Sequence, residues 1–351
     1  MKIRFAIFST FFLFVSMQMA QAAPCMIVTI TGAQGGPQVY QGLAGPGTLL
    51  RYGDDSNNCE SVRLQFDIGR GTILRLSEVG VQSGQLNAVF ITHIHNDHSE
   101  GLTDILQHRW MFFPAGPKLD VLCSDDAPSA LGFSMSCKKF VAHIGDAAFH
   151  SGEVAQRVSE NKRRPEGGPA AMANLLTFTP TDDPQVVWSS GDVKVSAIRS
   201  THIAGHASYR VDTPAGSVVI GGDAGNDKPA PPRETSTSAQ LEKLAKGADV
   251  IVHSTIHPVM GPDRDSGMPP PIFFRQSTAA DLGAMAQRAG AKHLVLTHLI
   301  PPLGAAETAA WKVPGGALTE ADYRKAAEEE GRFKGQTLVA KDLASIRLPA
   351  K

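Results

Sequence analysis

The sequence His93-Ile94-His95-Asn96-Asp97-His98 places four side chains that commonly bind metal ions within six residues. The apolar run directly before it, 88–91, predicts a buried strand, and the spacing of apolar residues over 101–110 predicts a helix after it. The four side chains would then lie on a loop between strand and helix, where a rigid scaffold aims them at one point. Imidazoles with a carboxylate suit zinc and similar ions, and they indicate a hydrolytic rather than a purely structural site.

Three later strand patterns each run into a residue of the same kind. The predicted strands 193–198, 218–222 and 294–297 precede His202, Asp223 and His298, respectively. Each of these residues has a histidine competitor or another role to weigh, and for His298 the competitor is His293, at the start of its strand. His206 follows His202 closely, and Asp223 would also suit an ordinary turn.

The H-x-H-x-D-H pattern resembles that of the metallo-β-lactamase superfamily. Two other segments are similar to this superfamily: the glycine-rich turn at 32–37 and the sequence Asp67-Ile-Gly-Arg-Gly-Thr72, which matches its DxGxGT motif. The resemblance implies an α/β fold, a four-layer αβ/βα sandwich of two sheets flanked by helices. We expect a single domain over 23–351, with an irregular insertion at about 124–188.

The resemblance also implies a set of metal ligands. His93, His95 and His202 would hold the first metal, Asp97, His98 and His298 the second, and Asp223 would bridge the two. Two zinc ions are the expected cofactors, with manganese or iron as an alternative at one site.

Neighbouring residues are assigned by the same resemblance. His202 is favoured over His206 because the ligand lies seven residues before a tyrosine in the ribonuclease Z and arylsulfatase-like branches, as His202 does before Tyr209. Asp67 is expected to orient ligands without touching metal.

The chemistry implied by the resemblance is attack by a hydroxide that bridges the two metals. Asp97, His253 and His206 are the candidate catalytic residues. Asp97 lies among the ligands, and His253 is the first candidate for the general acid because its position resembles the family's HE pair, with Ser254 in place of the glutamate. His206 is the second candidate. A histidine that is merely hydrogen-bonded at the rim is an equally good interpretation of His253.

The segments 202–210 and 296–302 look most like the exported arylsulfatase-like branch related to ribonuclease Z. We therefore expect an exported dinuclear hydrolase that cleaves a small phosphodiester or sulfate ester. A lactonase or β-lactam-type ring-opening hydrolase is the alternative. A remote alternative of another class is a non-catalytic zinc-binding module.

The charge balance of the chain indicates which kinds of partner to expect. The chain has 33 basic and 34 acidic residues and a net charge of −1, and nucleic-acid-binding proteins usually show a basic excess. The expected partner is a small-molecule ester, with no nucleic acid and no membrane after signal cleavage. A homodimer is a further option.

The N-terminus resembles a secretory signal peptide over residues 1–22. Lys2 and Arg4 precede an apolar run that is too short to span a bilayer, and Ala20-Gln21-Ala22 offers a cleavage site. This predicts a periplasmic or secreted protein.

The four cysteines of the sequence are an even number, which permits two disulfides in an exported protein. Three pairings of Cys25, Cys59, Cys123 and Cys137 are open. Local pairing, Cys25–Cys59 with Cys123–Cys137, is preferred.

The middle of the chain has a broken pattern with frequent proline and glycine. One helix is predicted there, over 152–161, and the block at 130–180 is expected to overhang the active site or to form a dimer contact. Phe273 and Phe274 would line the substrate site or, the preferred interpretation, form an ordinary core contact.

Overall fold

The computed structural model describes residues 1, 22–228, 230–308 and 310–349, and two large sheets make up its centre. The predicted signal peptide lies, except for Met1 and Ala22, outside the described residues. The strands are β1 (Pro24–Gly32), β2 (Gly47–Asp54), β3 (Val62–Phe66), β4 (Ala88–Phe90), β5 (Leu119–Ser124), β6 (Ala127–Pro128), β7 (Ser134–Met135), β8 (Ala173–Phe178), β9 (Gln185–Ser190), β10 (Val193–Arg199), β11 (Ala207–Thr213), β12 (Gly216–Ile220), β13 (Val250–Ile256), β14 (His293–Ile300), β15 (Gln336–Val339) and β16 (Ser345–Leu348).

The two sheets repeat one plan. The first has the order β16-β1-β2-β3-β4-β5-β8, antiparallel as far as β3 and parallel beyond it. The second has the order β15-β14-β13-β12-β11-β10-β9, parallel as far as β12 and antiparallel beyond it. Each half of the chain therefore joins an antiparallel meander to a set of parallel strands.

Helices cover the outer faces of both sheets. Among the described residues, no helix has the length and apolar character that a membrane span requires. The α-helices are α1 (Thr72–Glu78), α2 (Asn96–Ser99), α3 (Leu102–Phe112), α4 (Cys137–Ala142), α5 (Asp146–His150), α6 (Glu153–Glu160), α7 (Ala239–Ala245), α8 (Pro270–Phe274), α9 (Ala279–Ala289) and α10 (Glu320–Lys325).

The side chains of the central strands face alternately the space between the two sheets and the outer helices, which gives the fold four layers. Leu50 of β2 and Val252 of β13 belong to one apolar cluster between the two sheets. Their neighbours face outward: Leu49 packs in the cluster that contains α3, and Ile251 packs in the cluster that contains α7 and α9. Successive strand residues point to opposite faces, so each central strand buries both sides. The predicted four-layer αβ/βα sandwich is confirmed.

The middle block is more regular than its sequence indicates. The predicted helix is present as α6, but α4, α5 and a small β6–β7 hairpin precede it. Strands β8 and β9 extend the edges of the first and second sheets. They were missed because an edge strand exposes part of its apolar side chains: Leu176 is 37% exposed and Val186 is 56% exposed.

Two disulfides lie in the first half of the chain. They join Cys25 to Cys59 and Cys123 to Cys137, so the preferred local pairing is confirmed. The second disulfide closes the base of the β6–β7 hairpin, because Cys123 lies next to the last residue of β5 and Cys137 begins α4.

Candidate metal centre

One edge of the sandwich collects the carboxyl ends of the central strands. In parallel sheets these ends are where ligands bind, because the loops that leave them meet there. The first sheet delivers Asp67 from β3 and the ligand loop from β4. The second sheet delivers Asp223 after β12, His253 within β13 and His298 near the end of β14.

The ligand loop folds tightly. The Nε2 atom of His93 lies 2.9 Å from Nδ1 of His95, and the rings of His93 and His98 are 4.1 Å apart. Asp97 and His98 lie in α2, which begins directly after His95, so the helical turn directs both toward the same point.

Asp223 lies between the two predicted ligand sets. Its carboxylate oxygens are 3.4 Å from Nε2 of His98, 3.6 Å from Nε2 of His202 and 3.5 Å from Nε2 of His298. Nε2 of His298 is also 3.4 Å from Oδ2 of Asp97. This is the position that a shared ligand requires.

The structure brings all seven predicted ligands together. They form three groups whose donor atoms lie within 4.8 Å of one another. The groups are His93, His95 and His202; His93, His98 and Asp223; and Asp97, His98 and His298.

A β-bulge aims His298 at the site. In the pairing of β13 with β14, Ser254 faces Thr297 and Thr255 faces Leu299, so His298 is the extra residue. Its φ of +47° is a strained backbone conformation that costs about 1–3 kcal/mol. Leu296 and Leu299 both face the outer helices although they are three positions apart, which shows that the bulge shifts the alternation. Without this shift His298 would point toward the helices.

Two hydrogen bonds orient ligand histidines. The Nδ1 atom of His98 lies 2.9 Å from Oδ2 of Asp67, whose Oδ1 accepts a bond from the Thr92 amide at 2.8 Å. The Nδ1 atom of His202 lies 3.2 Å from the carbonyl oxygen of Arg275. With Nδ1–H donating to these oxygens, each ring presents its Nε2 lone pair to the centre. The predicted orienting contact of Asp67 is present.

The chemistry of the buried groups fits divalent cations. Asp97 and Asp223 are 5% and 2% exposed, and within the described ranges their ion-pair partners are all histidines. Buried carboxylates without a cation are costly. Nε2 of His98, Nε2 of His202 and Oδ1 of Asp223 are buried atoms without a hydrogen-bond partner among the described residues. Bound metals would satisfy all three.

The pKa shifts agree with ligand roles. Burial lowers the pKa of His202 to about 4, so its imidazole is neutral at physiological pH and can bind metal. Burial alone would raise the pKa of Asp223, but His298 and His98 hold it well below its usual value. Asp223 is therefore a carboxylate acceptor in this site.

His206 occupies a different position from His202. It is buried, its Nδ1 lies 2.8 Å from the Ser200 hydroxyl, and its Nε2 accepts a bond from the Asp223 amide at 3.2 Å. Both ring nitrogens are thus in use. This geometry indicates that His206 positions Asp223 and is neither a metal ligand nor a general acid.

His253 lies beneath the ligands. It is fully buried, its Nδ1 lies 2.6 Å from the Ser254 carbonyl oxygen, and burial lowers its pKa to about 4. Its Nε2 has no hydrogen-bond partner among the described residues. It lines a small cavity of about 20 Å³ together with His98 and Asp223. Its predicted role as general acid stays a prediction.

The rim of the site includes the middle block. A cavity of about 550 Å³ beside His202 is lined by both ends of that block, at 125–128 and 179–180. Phe273 is 9% exposed and packs in a small apolar cluster, which confirms the core-contact interpretation for that residue.

Solved structures share this architecture. The YhfI protein of Bacillus subtilis, a metallo-β-lactamase-fold protein, is 18% identical, with 92% of this chain and 99% of that chain covered and a TM-score of 0.58. The short form of human tRNase Z is 17% identical, with 92% and 100% covered and a TM-score of 0.54. A diphosphatase of the PhnP family is 14% identical, with 92% and 97% covered and a TM-score of 0.54. The protein has the metallo-β-lactamase fold.

Curated sequence relatives of this metallo-β-lactamase-fold chain include enzymes named ribonuclease Z. The one from Mycobacterium bovis (strain BCG / Pasteur 1173P2) is 27% identical over 287 residues, which cover 81% of this chain and 90% of the relative. The one from Mycobacterium avium (strain 104) is 27% identical over 289 residues, with 81% and 90% covered. A family profile described as anti-Pycsar protein Apyc1 matches residues 57–136, which include the ligand loop. The prediction of a metal-dependent hydrolase of this fold is confirmed.

The prediction for the partners is wrong. The sequence predicts a small-molecule ester and no nucleic acid, whereas the relatives are named for action on RNA. The expectation rested on the net charge, which averages over the whole chain. A few local cations at the site suffice to bind a phosphate, and they do not alter that average.

Proposed function

We propose that this protein is a dinuclear metal-dependent phosphodiesterase that hydrolyses phosphodiester bonds of RNA. The observation that carries the proposal is the position of Asp223 within 3.6 Å of histidines from both ligand sets. The relatives named ribonuclease Z, aligned over four-fifths of the chain, support the choice of bond.

The proposed ligand sets follow the three groups found at the site. The first set is His93, His95 and His202, and the second is Asp97, His98 and His298, with Asp223 shared. Two bound divalent ions, zinc for this donor set or manganese or iron in one position, would activate a water and neutralise charge that develops on the phosphate.

Hydrogen bonds within the protein hold the proposed metal ligands in position before substrate binds. Asp67 fixes the ring of His98, and the Arg275 carbonyl fixes the ring of His202. His206 accepts the amide hydrogen bond of Asp223 and so fixes the start of the loop that carries this carboxylate. Groups held in this way need no rearrangement when the reaction occurs. His253 is the proposed group for proton transfer to the leaving oxygen.

Export is part of the proposal. Residues 1–22 would be removed as a signal peptide, and the mature protein would be periplasmic or secreted. Two disulfides support this, since structural disulfides persist mainly in oxidising compartments. N-terminal sequencing of the protein recovered from cell fractions tests it, and a protein retained in the cytosol with residues 1–22 intact would contradict it.

The central experiment measures hydrolysis by the mature protein after metal removal and reconstitution with zinc or manganese. The substrates are bis(p-nitrophenyl) phosphate and an end-labelled single-stranded oligoribonucleotide, alongside an aryl sulfate, a lactone and a β-lactam. We expect turnover of the two phosphodiesters, loss with a chelator, and return with metal. A double variant, His93→Ala with His95→Ala, is the control for contaminating nuclease.

Other outcomes would contradict the proposal. Turnover of only the lactone or the β-lactam would assign the site to ring opening. Two bound metals without turnover of any substrate would favour the non-catalytic zinc-binding module.

A further inference from the structure

Arg275 lies directly at the metal centre. Its carbonyl oxygen accepts the hydrogen bond from Nδ1 of His202, at 3.2 Å. Its backbone is also packed against Gly225, where an added Cβ would lie 2.6 Å from the same oxygen. The main chain of Arg275 is therefore fixed at the His202 side of the site, directly after α8.

The side chain of Arg275 is a cation that has no carboxylate partner in the part of the chain that the structure describes. Within the described ranges, its Nε is a buried atom with no hydrogen-bond partner, and no carboxylate lies within ion-pair distance of its guanidinium. The nearby Arg233, by contrast, donates to two carbonyl oxygens and lies over the ring of Phe274. An unpaired buried donor is costly, so its retention beside the site points to a ligand that satisfies it.

The guanidinium charge acts on two of the ligand residues. Burial is the largest cause that lowers the pKa values of His95 and His202, and the positive charge of Arg275 lowers both further. The guanidinium charge therefore acts on the side of the centre that His95 and His202 form.

We propose that the guanidinium of Arg275 binds a non-bridging oxygen of the scissile phosphodiester at the His95–His202 side of the metal centre. This inference rests on the proposed function and deepens it. An arginine presents a planar fork of donors that matches phosphate oxygens, and its charge persists at every physiological pH. A neutral lactone or lactam offers no anionic oxygen to this group, so Arg275 favours anionic esters such as phosphodiesters over neutral ring substrates.

The first test measures binding of inorganic phosphate to the zinc-loaded protein by calorimetry, which does not depend on turnover. Arg275→Met is expected to weaken phosphate binding about 10–100-fold, as for loss of a hydrogen bond to a charged group. It is expected to lower kcat/KM for bis(p-nitrophenyl) phosphate about 10²–10³-fold. Arg275→Lys, which keeps the charge but loses the fork, should recover part of both losses.

Arg264→Met is the matched control. It removes the same charge from an exposed turn next to α8 and should leave phosphate binding and turnover unchanged. Zinc content and thermal stability are measured for each variant. The substitutions keep the backbone carbonyl that orients His202, so both zinc ions should remain.

Three results separate this inference from the proposed function. Phosphate binding by Arg275→Met equal to that of the wild type would overturn the inference. Loss of zinc from both Arg275 variants would also overturn the inference, because that result would show that Arg275 is needed to retain the metal. A wild-type protein that cleaves no phosphodiester but binds phosphate through Arg275 would defeat the proposed function and support the anion site.

Discussion

The two halves of the molecule supply metal ligands in different ways. The first half contributes His93, His95, Asp97 and His98 from one short loop, and a single carboxylate, Asp67, anchors it. The second half contributes its ligands from three separate strand ends. Contiguous ligands are aimed by local backbone geometry, whereas dispersed ligands depend on tertiary structure.

Each ligand of the second half has its own positioning device. The Arg275 carbonyl orients His202, His206 accepts from the amide of Asp223, and a bulge in β14 turns His298 toward the centre. A change to one of these devices should therefore displace one ligand of the second half and leave the others in place.

The largest expected effect is at Asp223, the residue that the two ligand sets share. Asp223→Ala should lower kcat for a phosphodiester at least about 10³-fold, because the metals' stabilisation of charge is worth several kcal/mol. Zinc content, measured by mass spectrometry, should fall below two per chain. Asp212→Ala removes a partly exposed carboxylate of the same half and serves as control. Retention of two metals and full activity would show that Asp223 is not a bridging ligand.

The next effect concerns covalent cross-links, which within the described residues occur in the first half alone. Replacing Cys123 and Cys137 together by alanine should lower the free energy of unfolding by about 3 kcal/mol, as expected for a closed loop of roughly 15 residues. Denaturant unfolding of the two proteins measures the difference. An unchanged free energy of unfolding would mean that packing of the β6–β7 hairpin, and not the disulfide, holds this region.

A smaller effect is expected at Asp67, the anchor of the first half. Asp67→Asn keeps the shape but turns an acceptor into a donor opposite Nδ1 of His98, so metal affinity should fall about 10–100-fold. Competition with a chromophoric chelator resolves the two metals, and the second should weaken more because His98 belongs to its set. Asp104→Asn, on the exposed face of α3, is the control. Equal weakening of both metals would show that Asp67 anchors the whole loop.

The smallest effect is expected at His206. His206→Ala removes one hydrogen bond to the amide of Asp223, so kcat should fall about tenfold while both metals remain. The comparison variant is His202→Ala, which should lose metal from the first set. If metal is lost from the His206 variant and retained by the His202 variant, then the ligand assignment is reversed.

Strong apolar strands made much of the fold predictable from the sequence. The central strands β3, β4, β5 and β14 are buried on both faces, and their runs of apolar residues stand out. The edge strands β8 and β9 could not be recognised, since half of each contacts solvent and the apolar pattern is weak.

The metal ligands of the candidate site can be predicted from the sequence, because each comes at the end of a recognisable apolar strand. The supporting contacts of the site cannot, because they join residues that lie far apart in the chain. Arg275 belongs to no motif, and only its contact with His202 places it at the centre. The bulge at His298 is likewise set by pairing with β13, which a single strand pattern does not reveal.

The bulge in β14 also makes the second metal set depend on chain length. Deleting Thr297 would remove the bulge and place His298 on the face opposite to Leu296 and Leu299, so the histidine would lose the backbone conformation that now directs it at the metal centre. A single-codon deletion in β14 would thus disturb the second metal set while every ligand type remained in the sequence.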